Sequence, residues 1–343
     1  MRMRSLLALG AVAVLALSGC APGPEPKPKP SASPSTPETP PPTPEPVEAP
    51  EAAFDVTCED LATTMATLVG EPSTPVEPVM STVSTMSWLP GPGQYMFQRS
   101  GGLACSAGEE PSYWEVTMIP DAQGVIDGAA ERNGFWGEQA DCNESGCSFE
   151  IVEGDVLLSA RIVDAGLGAS LDPGPPGDAL RGLAAAAAST LHDVVSVDSA
   201  IVGAECERFL TAQELADSVG GETRIVSEFG GWGIPAEVYH VVNGSKICLY
   251  TDGGDEYSGV HHLTITTLPG GAWAFERTPG EAIDVEGADE ARLSTDASGA
   301  TALDLRVGPD WIRLTTRVTE AATMTGVAEK IVRNLTKGHT APQ

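Results

Sequence analysis

The cysteines of this chain mark an internal repeat, and the repeat limits the folds that the chain can adopt. The stretch 57–70, TCEDLATTMATLVG, contains a cysteine, a helical pattern and a final glycine, and the stretch 205–221, ECERFLTAQELADSVGG, follows the same plan. A second cysteine follows in a short apolar run in each half, 47 residues on at Cys105 and 42 residues on at Cys248. Self-similarity of this kind predicts two units of related structure.

The segments after these cysteines keep one order in both halves. Each half has an apolar strand that ends at proline, a short helical stretch, two alternating strands joined by a tight turn, and a final helix. The segments are 113–120, a helix ending at Glu131-Arg132, 148–163 and 178–195 in the first half, and 261–269, a helix ending at Glu276-Arg277, 302–318 and about 319–335 in the second. Strands joined by tight turns run antiparallel.

The predicted fold is therefore α+β, with two tandem, divergent domains at 54–197 and 198–337, each an antiparallel sheet with helices packed on it. Thr211 and Glu214 have the spacing of a capping box at a helix N-terminus, and Gly220 is a suitable C-terminal stop. The Asn-Gly pair in VVNGSKI, 241–247, predicts a hairpin turn. Residues 338–343 are expected to be a disordered tail.

A proline-rich segment, 20–53, precedes the first half. Thirteen of the 28 prolines lie between residues 21 and 50, and few apolar side chains accompany them. Such a segment has too little apolar surface to fold. In the polyproline II conformation, at about 3.1 Å per residue, it forms a semi-rigid tether that reaches up to about 90 Å.

Residues 1–19 have the pattern of a secretion signal. Arg2 and Arg4 give a positive start, and the apolar stretch 6–17 follows. This stretch is shorter than the roughly 20 apolar residues that span a bilayer. One interpretation is an ordinary cleaved signal, in which the cysteine that follows, Cys20, is present by chance.

The four residues at the end of the leader, Leu17-Ser18-Gly19-Cys20, resemble the lipobox of bacterial lipoproteins. The resemblance implies that the Cys20 thiol receives a diacylglycerol and that cleavage makes Cys20 the new N-terminus. Two acyl chains suffice for stable anchoring. We therefore expect a lipid-anchored protein on the extracytoplasmic face of the cell membrane, in a bacterium that composition suggests is an actinobacterium.

Six cysteines remain for an oxidising compartment, in which pairing is the rule. The repeat predicts Cys58–Cys105 and Cys206–Cys248 as equivalent pairs. Cys142 and Cys147 have no counterparts in the second half, so they are expected to pair with each other across CNESGC. A zinc or redox site at this C-x4-C is the alternative, but it lacks a second ligand pair at useful spacing.

The two halves resemble a small, cysteine-paired domain of actinobacterial lipoproteins that has no assigned function. The nearest named architecture is the PsbP-like α/β sandwich, an antiparallel sheet covered by helices. The resemblance covers about residues 55–197 and 204–337. It implies a fold class and an envelope location, and it implies no catalytic residues.

Motifs of catalysis are absent from the sequence. It contains no H-E-x-x-H, G-x-S-x-G, phosphate-binding loop or dinucleotide fingerprint. We therefore expect no catalytic residues, metal or cofactor. His261 and His262 are expected to face opposite sides of a strand. The acidic loop 251–259 is more typical of a solvated loop than of a Ca²⁺ site, since it lacks the EF-hand spacing.

Aromatic residues in glycine-rich stretches are the remaining candidates for binding. Trp88, Phe135, Trp136 and Trp232 could form a binding surface, because aromatic loop residues often anchor ligands. The alternative is that these rings pack into the core.

The formal net charge is −29, which excludes nucleic acid as a partner because phosphate binding needs clustered Lys and Arg. The expected function is that of a non-catalytic envelope lipoprotein with a binding or scaffolding role. Its expected partners are the membrane, through the lipid, and a cell-wall glycan or another envelope protein. A cell-wall- or lipid-active enzyme and the substrate-binding subunit of an importer are the alternatives.

Overall fold

The computed structural model describes residues 48–80, 91–132, 139–163, 172–195, 197–227, 233–255, 258–296 and 298–337. These residues form two antiparallel sheets and helices, which confirms the α+β fold class. No helix in these ranges is long and apolar enough to cross a membrane. The helices are α1 (Cys58–Val69), α2 (Met96–Arg99), α3 (Ala122–Glu131), α4 (Gly174–Ser189), α5 (Cys206–Phe209), α6 (Ala212–Val219), α7 (Ile234–Glu237), α8 (Ala272–Phe275) and α9 (Ala321–Lys337).

The first sheet has five strands in the order β1-β2-β5-β4-β3, and all its neighbours are antiparallel. Its inner face, which we define as the face covered by α1 and α4, carries alternate apolar residues such as Trp114, Val116 and Met118 of β2. The strands are β1 (Leu103–Glu109), β2 (Ser112–Pro120), β3 (Gln139–Asn143), β4 (Gly146–Glu153) and β5 (Val156–Val163).

The second sheet has seven strands in the order β6-β7-β8-β12-β11-β10-β9. Its inner face is covered by α5, α6 and α9, and α9 buries one apolar side that includes Val327, Ile331 and Leu335. The strands are β6 (Arg224–Val226), β7 (Ile247–Thr251), β8 (His261–Leu268), β9 (Glu281–Ala282), β10 (Glu290–Thr295), β11 (Thr301–Val307) and β12 (Asp310–Thr316).

Three disulfides tie helices and strands together, and they join the pairs that the repeat predicts. Cys58–Cys105 links α1 to β1, and Cys206–Cys248 links α5 to β7. Cys142–Cys147 closes the β3–β4 hairpin. The two long bridges hold equivalent elements in the two halves, because each joins the first helix of a half to a strand of its sheet.

Capping boxes mark the N-termini of α1 and α6. The Thr211 side chain accepts a hydrogen bond from the Glu214 backbone N–H, and the Glu214 side chain accepts one from Thr211 in return, so the predicted capping box is present. Gly220 ends α6 in the left-handed conformation, with φ of 78°. Thr57 and Asp60 form the same arrangement at α1. One capping mechanism therefore starts α1 in the first half and α6 in the second.

The predicted hairpin at 241–247 is wrong. Residues Val238–Val242 form a π-helical turn that continues α7, and β7 begins only at Ile247. Val238 and Tyr239 are buried against Met96, Phe97 and other side chains of the first half. This burial overrides the local turn signal of Asn243-Gly244. The final helix of the first half also starts earlier than predicted, at Gly174, and ends earlier, at Ser189.

Each half supplies a segment that covers the outer face of the other half's sheet, the face opposite the inner one. The 3-10 turn Pro92–Tyr95 of the first half packs on β8 and β12. In the reverse direction, α7 and the π-helical turn of the second half pack on α3 and α2. The Asn243 side chain donates a hydrogen bond to the Met96 carbonyl at 2.7 Å. The two halves therefore share buried clusters and exchange their coverings.

An ion pair between Arg132 and Glu237 holds α7 of the second half against the first half. Glu237 of α7 is 2% exposed and lies 3.0 Å from the guanidinium of Arg132, which follows α3. Arg99 donates to the carbonyls of Pro269 and Val197, at 3.3 Å for Val197. The contact with Pro269 connects the first half to the second, and the contact with Val197 holds the C-terminal end of the first half.

Candidate functional site

A groove of about 310 Å³ lies on the outer face of the first sheet. The strands that form it alternate, so apolar side chains point to the inner face and polar side chains point into the groove. The side chains that matter below are Glu115 and Thr117 of β2, Ser159 and Arg161 of β5, and Ser148 and Glu150 of β4.

The register of the strands arranges these side chains in two rows. Arg161 is paired with Glu115 on one side and with Ser148 on the other. In the next row, Ser159 is paired with Thr117 and with Glu150. The groove floor thus places one guanidinium between two carboxylates and among hydroxyl groups. Since adjacent strands are about 4.8 Å apart, the strands that carry Glu115 and Glu150 are separated by about 10 Å.

Both halves contribute apolar walls to the groove. Met80 and Phe97 come from the first half, and Ile234 and Pro235 come from the start of α7 in the second. All four belong to or adjoin the buried cluster that the two halves share. The width of the groove therefore depends on the covering that the second half supplies.

Arg161 is exposed, and it makes no ion pair or hydrogen bond with the residues that the structure describes. By contrast, Glu115 is only 8% exposed. Burial raises the pKa of Tyr113, which precedes Glu115 on the same face, and the positive charge of Arg161 acts in the opposite direction. The guanidinium therefore acts electrostatically on the outer face while remaining open to solvent.

The equivalent face of the second sheet can be aligned from the strand register. Leu157 of β5 pairs with Ile119 of β2, one residue before Pro120. Trp311 of β12 pairs with Leu268 of β8, one residue before Pro269, so Leu157 corresponds to Trp311. Continuing two residues along each strand, Ser159 corresponds to Arg313. On the neighbouring strand, Glu150 pairs with Ser159 as Asp304 pairs with Arg313.

Asp304 is fully buried and is held by two side chains. Arg313 donates to both of its carboxylate oxygens at 2.8 Å, and the Trp311 indole donates at 2.7 Å. The two charges neutralise each other in this bidentate arrangement. A buried carboxylate requires such pairing. The row is therefore internally satisfied.

Aromatic side chains close this second face. The Tyr95 ring lies 5.6 Å from that of Trp273 and 5.7 Å from that of Trp311. Gly91, at φ of 100°, approaches Arg313 so closely that a Cβ would lie 2.4 Å from a guanidinium nitrogen. The chain thus packs directly over the arginine. The second outer face is filled where the first has a groove.

Cys20, Trp88, Phe135, Trp136 and Trp232 lie outside the described residues. The groove itself was missed, although β2 carried a signal. In YWEVTMIP, Glu115 and Thr117 alternate with Trp114, Val116 and Met118, so one face of an apolar strand is polar.

Among the described residues, no group of three or more His, Cys, Asp or Glu side chains could hold a metal ion. Of the acidic loop, Asp252 and Asp255 are described and Glu256 is not. His261 is exposed and His262 is half-buried at the start of β8.

Comparisons with known proteins give no assignment. No protein-family model, no curated protein and no solved structure matches this chain.

Proposed function

We propose that the chain is a lipid-anchored lipoprotein of the cell envelope that binds a ligand in the outer groove of its first sheet and catalyses no reaction. Cys20 carries the lipid, and the segment 20–53 holds the body away from the membrane. The polar groove is the observation that carries the binding role. Its ligand belongs to a cell-wall component or to another envelope protein.

The comparison of the two halves supports a functional rather than a structural role for the groove. In the second half, Asp304, Trp311 and Arg313 form a triad in which both other side chains donate hydrogen bonds to the buried carboxylate. The first half has Glu150, Leu157 and Ser159 at the equivalent positions, and its arginine stands two residues further along, at Arg161. An exposed arginine next to buried polar groups is more typical of a binding site than of a packing requirement.

The alternatives make different demands on the groove. A cell-wall- or lipid-active enzyme would use Glu115 or Glu150 as acid or base, since paired carboxylates can carry proton transfer. Hydrolysis of such a substrate that Glu115→Gln abolishes would contradict our proposal. We favour the importer subunit less, because such proteins usually have two lobes with parallel sheets and both sheets here are antiparallel.

Photo-cross-linking in intact cells tests the binding role. We would place a photoreactive amino acid at Ser148, which is exposed in the groove, and at Ala302, the equivalent position of the second sheet. The proposal expects a defined adduct at position 148 and none at position 302. Equal labelling at both positions, or no adduct at 148, would refute it.

Fractionation of a Cys20→Ser strain tests the anchor separately. The variant cannot receive the thioether-linked lipid, so the protein is expected in the medium or the soluble envelope fraction. Retention in the membrane fraction at the wild-type level would show that Cys20 is not the anchor.

A further inference from the structure

We propose that the groove recognises the zwitterionic part of an amino acid or short peptide, with Arg161 binding the carboxylate and with Glu115 and Glu150 facing the ammonium group. This inference rests on the proposed binding function and names the chemical class of the ligand. It is carried by the order of charges across the three strands.

Arg161 is the group suited to an anion. A guanidinium presents donors in a planar fork that matches the two oxygens of a carboxylate. Arg161 is exposed, and within the described residues it has no ion-pair partner to displace. It is also one of only 19 basic residues in a chain with 48 acidic ones. The surrounding negative field opposes a ligand that is purely anionic, so the bound anion needs a cation beside it.

The two glutamates provide the place for that cation. Glu115 is directly opposite Arg161 on β2, and Glu150 is one row away on β4. The formal charge of the three groups is −1 in total, from two carboxylates and one guanidinium. A neutral zwitterion, or one with an additional positive charge, complements this arrangement better than an acid does.

The volume of the groove fits a ligand part of a few residues. A volume of about 310 Å³ holds roughly ten water molecules at about 30 Å³ each. This is the size of a dipeptide with small side chains. The apolar wall formed by Phe97, Ile234 and Pro235 suits methyl groups, and Ser148 and Ser159 can bond a peptide group.

Isothermal titration calorimetry on the detergent-solubilised lipoprotein tests the ligand class. The probes are alanyl-alanine of both chiralities, alanyl-lysine and alanyl-glutamate. Matched probes are acetyl-alanyl-alanine, which lacks the ammonium group, and alanyl-alaninamide, which lacks the carboxylate. We expect binding of at least one alanyl-alanine, at least tenfold weaker binding of both blocked forms, and alanyl-lysine to bind more tightly than alanyl-glutamate.

Variants then locate the binding. Arg161→Gln is expected to weaken binding at least tenfold, and Arg161→Lys to weaken it less, because Lys keeps the charge and loses the fork. Glu115→Gln and Glu150→Gln are expected to weaken the binding of alanyl-alanine. They should have less effect on the binding of acetyl-alanyl-alanine, which lacks the ammonium group. Arg181→Gln is the matched control, since Arg181 is a partly exposed arginine of α4 outside the groove. Thermal unfolding of each variant shows that it is folded.

The outcomes separate the ligand class from the function. Binding that is indifferent to Arg161→Gln, or that requires neither charged end, would overturn the inference. Binding of phosphoethanolamine without any dipeptide would overturn it too, because it would assign the groove to a phosphate-ammonium ligand. If no probe binds while the cross-link at position 148 forms, the peptide class is wrong and the proposed function stands. If the cross-link also fails, the function itself is wrong.

Discussion

The outer faces of the two sheets are built on one register and differ in what covers them. On the second sheet, Asp304 and Arg313 neutralise each other beneath Tyr95 and Trp273. On the first sheet, Glu150 is paired with Ser159, and the arginine stands exposed at the next outward-facing position of the strand. The difference shows that two sheets with the same register can have unlike outer faces, one closed over a buried ion pair and one that contains a groove.

The largest expected effect comes from breaking the closed face. Asp304→Asn leaves the buried guanidinium of Arg313 without its charge partner, which typically costs about 3–5 kcal/mol of the free energy of unfolding. Chemical denaturation followed by tryptophan fluorescence measures the loss. The matched variant is Glu150→Gln in the first sheet, which is half-buried and is expected to cost about 1 kcal/mol or less. Equal losses in the two variants would remove the distinction between the faces.

The long disulfides test whether the two halves are equivalent in their frameworks. Replacing both cysteines of Cys58–Cys105 or of Cys206–Cys248 by serine opens loops of 47 or 42 residues. The loop-entropy relation gives a cost of about 4 kcal/mol for each, against about 2 kcal/mol for the short loop of Cys142–Cys147. Urea unfolding under non-reducing conditions gives the three values. A short bridge that contributes as much as the long ones would contradict this ranking.

The ion pair between Arg132 and Glu237 is expected to stabilise the packing of α7 against the first half. Arg132→Ala leaves Glu237 buried without its cation, and since Arg132 itself is 38% exposed we expect a loss of about 1–3 kcal/mol. Arg181→Ala, which removes a solvent-exposed pair with Glu153, is the control and should cost less than about 1 kcal/mol. Unfolding midpoints in denaturant compare the two. A smaller loss for Arg132 than for Arg181 would mean that this pair does not hold the covering.

The smallest expected effect is the pH dependence of the same covering. Burial lowers the pKa of His240 in the π-helical turn, and the nearby charge of Lys246 lowers it further, while a hydrogen bond to the Ser245 carbonyl opposes them. The unfolded chain therefore binds a proton more readily than the folded one. Stability should fall as the pH drops below about 6.5, the value of an unperturbed histidine.

His240→Gln should flatten this part of the stability profile, measured as the thermal midpoint between about pH 7.5 and pH 5.5. His261→Gln is the control, because His261 is exposed. A profile that His240→Gln leaves unchanged would assign the pH dependence to other groups.

Much of the framework could be predicted from the sequence because its signals are local. Cys142 and Cys147 are five residues apart, and Thr211 and Glu214 define a capping box by themselves. The groove could not be predicted from the sequence. The part of the polar face of β2 that stays open depends on α7 and the π-helical turn, which come from the other half of the chain. The same packing between the halves misled the interpretation of Asn243-Gly244, whose neighbours Val238 and Tyr239 are buried against the other half.

Arginine labelling tests the central claim that one outer face is open for a ligand and the other is closed. Phenylglyoxal modification followed by peptide mass mapping would be run on the purified protein and on intact cells, with the exposed Arg224 as an internal reference. The account predicts rapid labelling of Arg161 and slow labelling of Arg313 in the purified protein, with Arg161 alone protected in cells. Labelling of Arg161 at the same rate relative to Arg224 in both samples, or equal rates for Arg161 and Arg313, would contradict it.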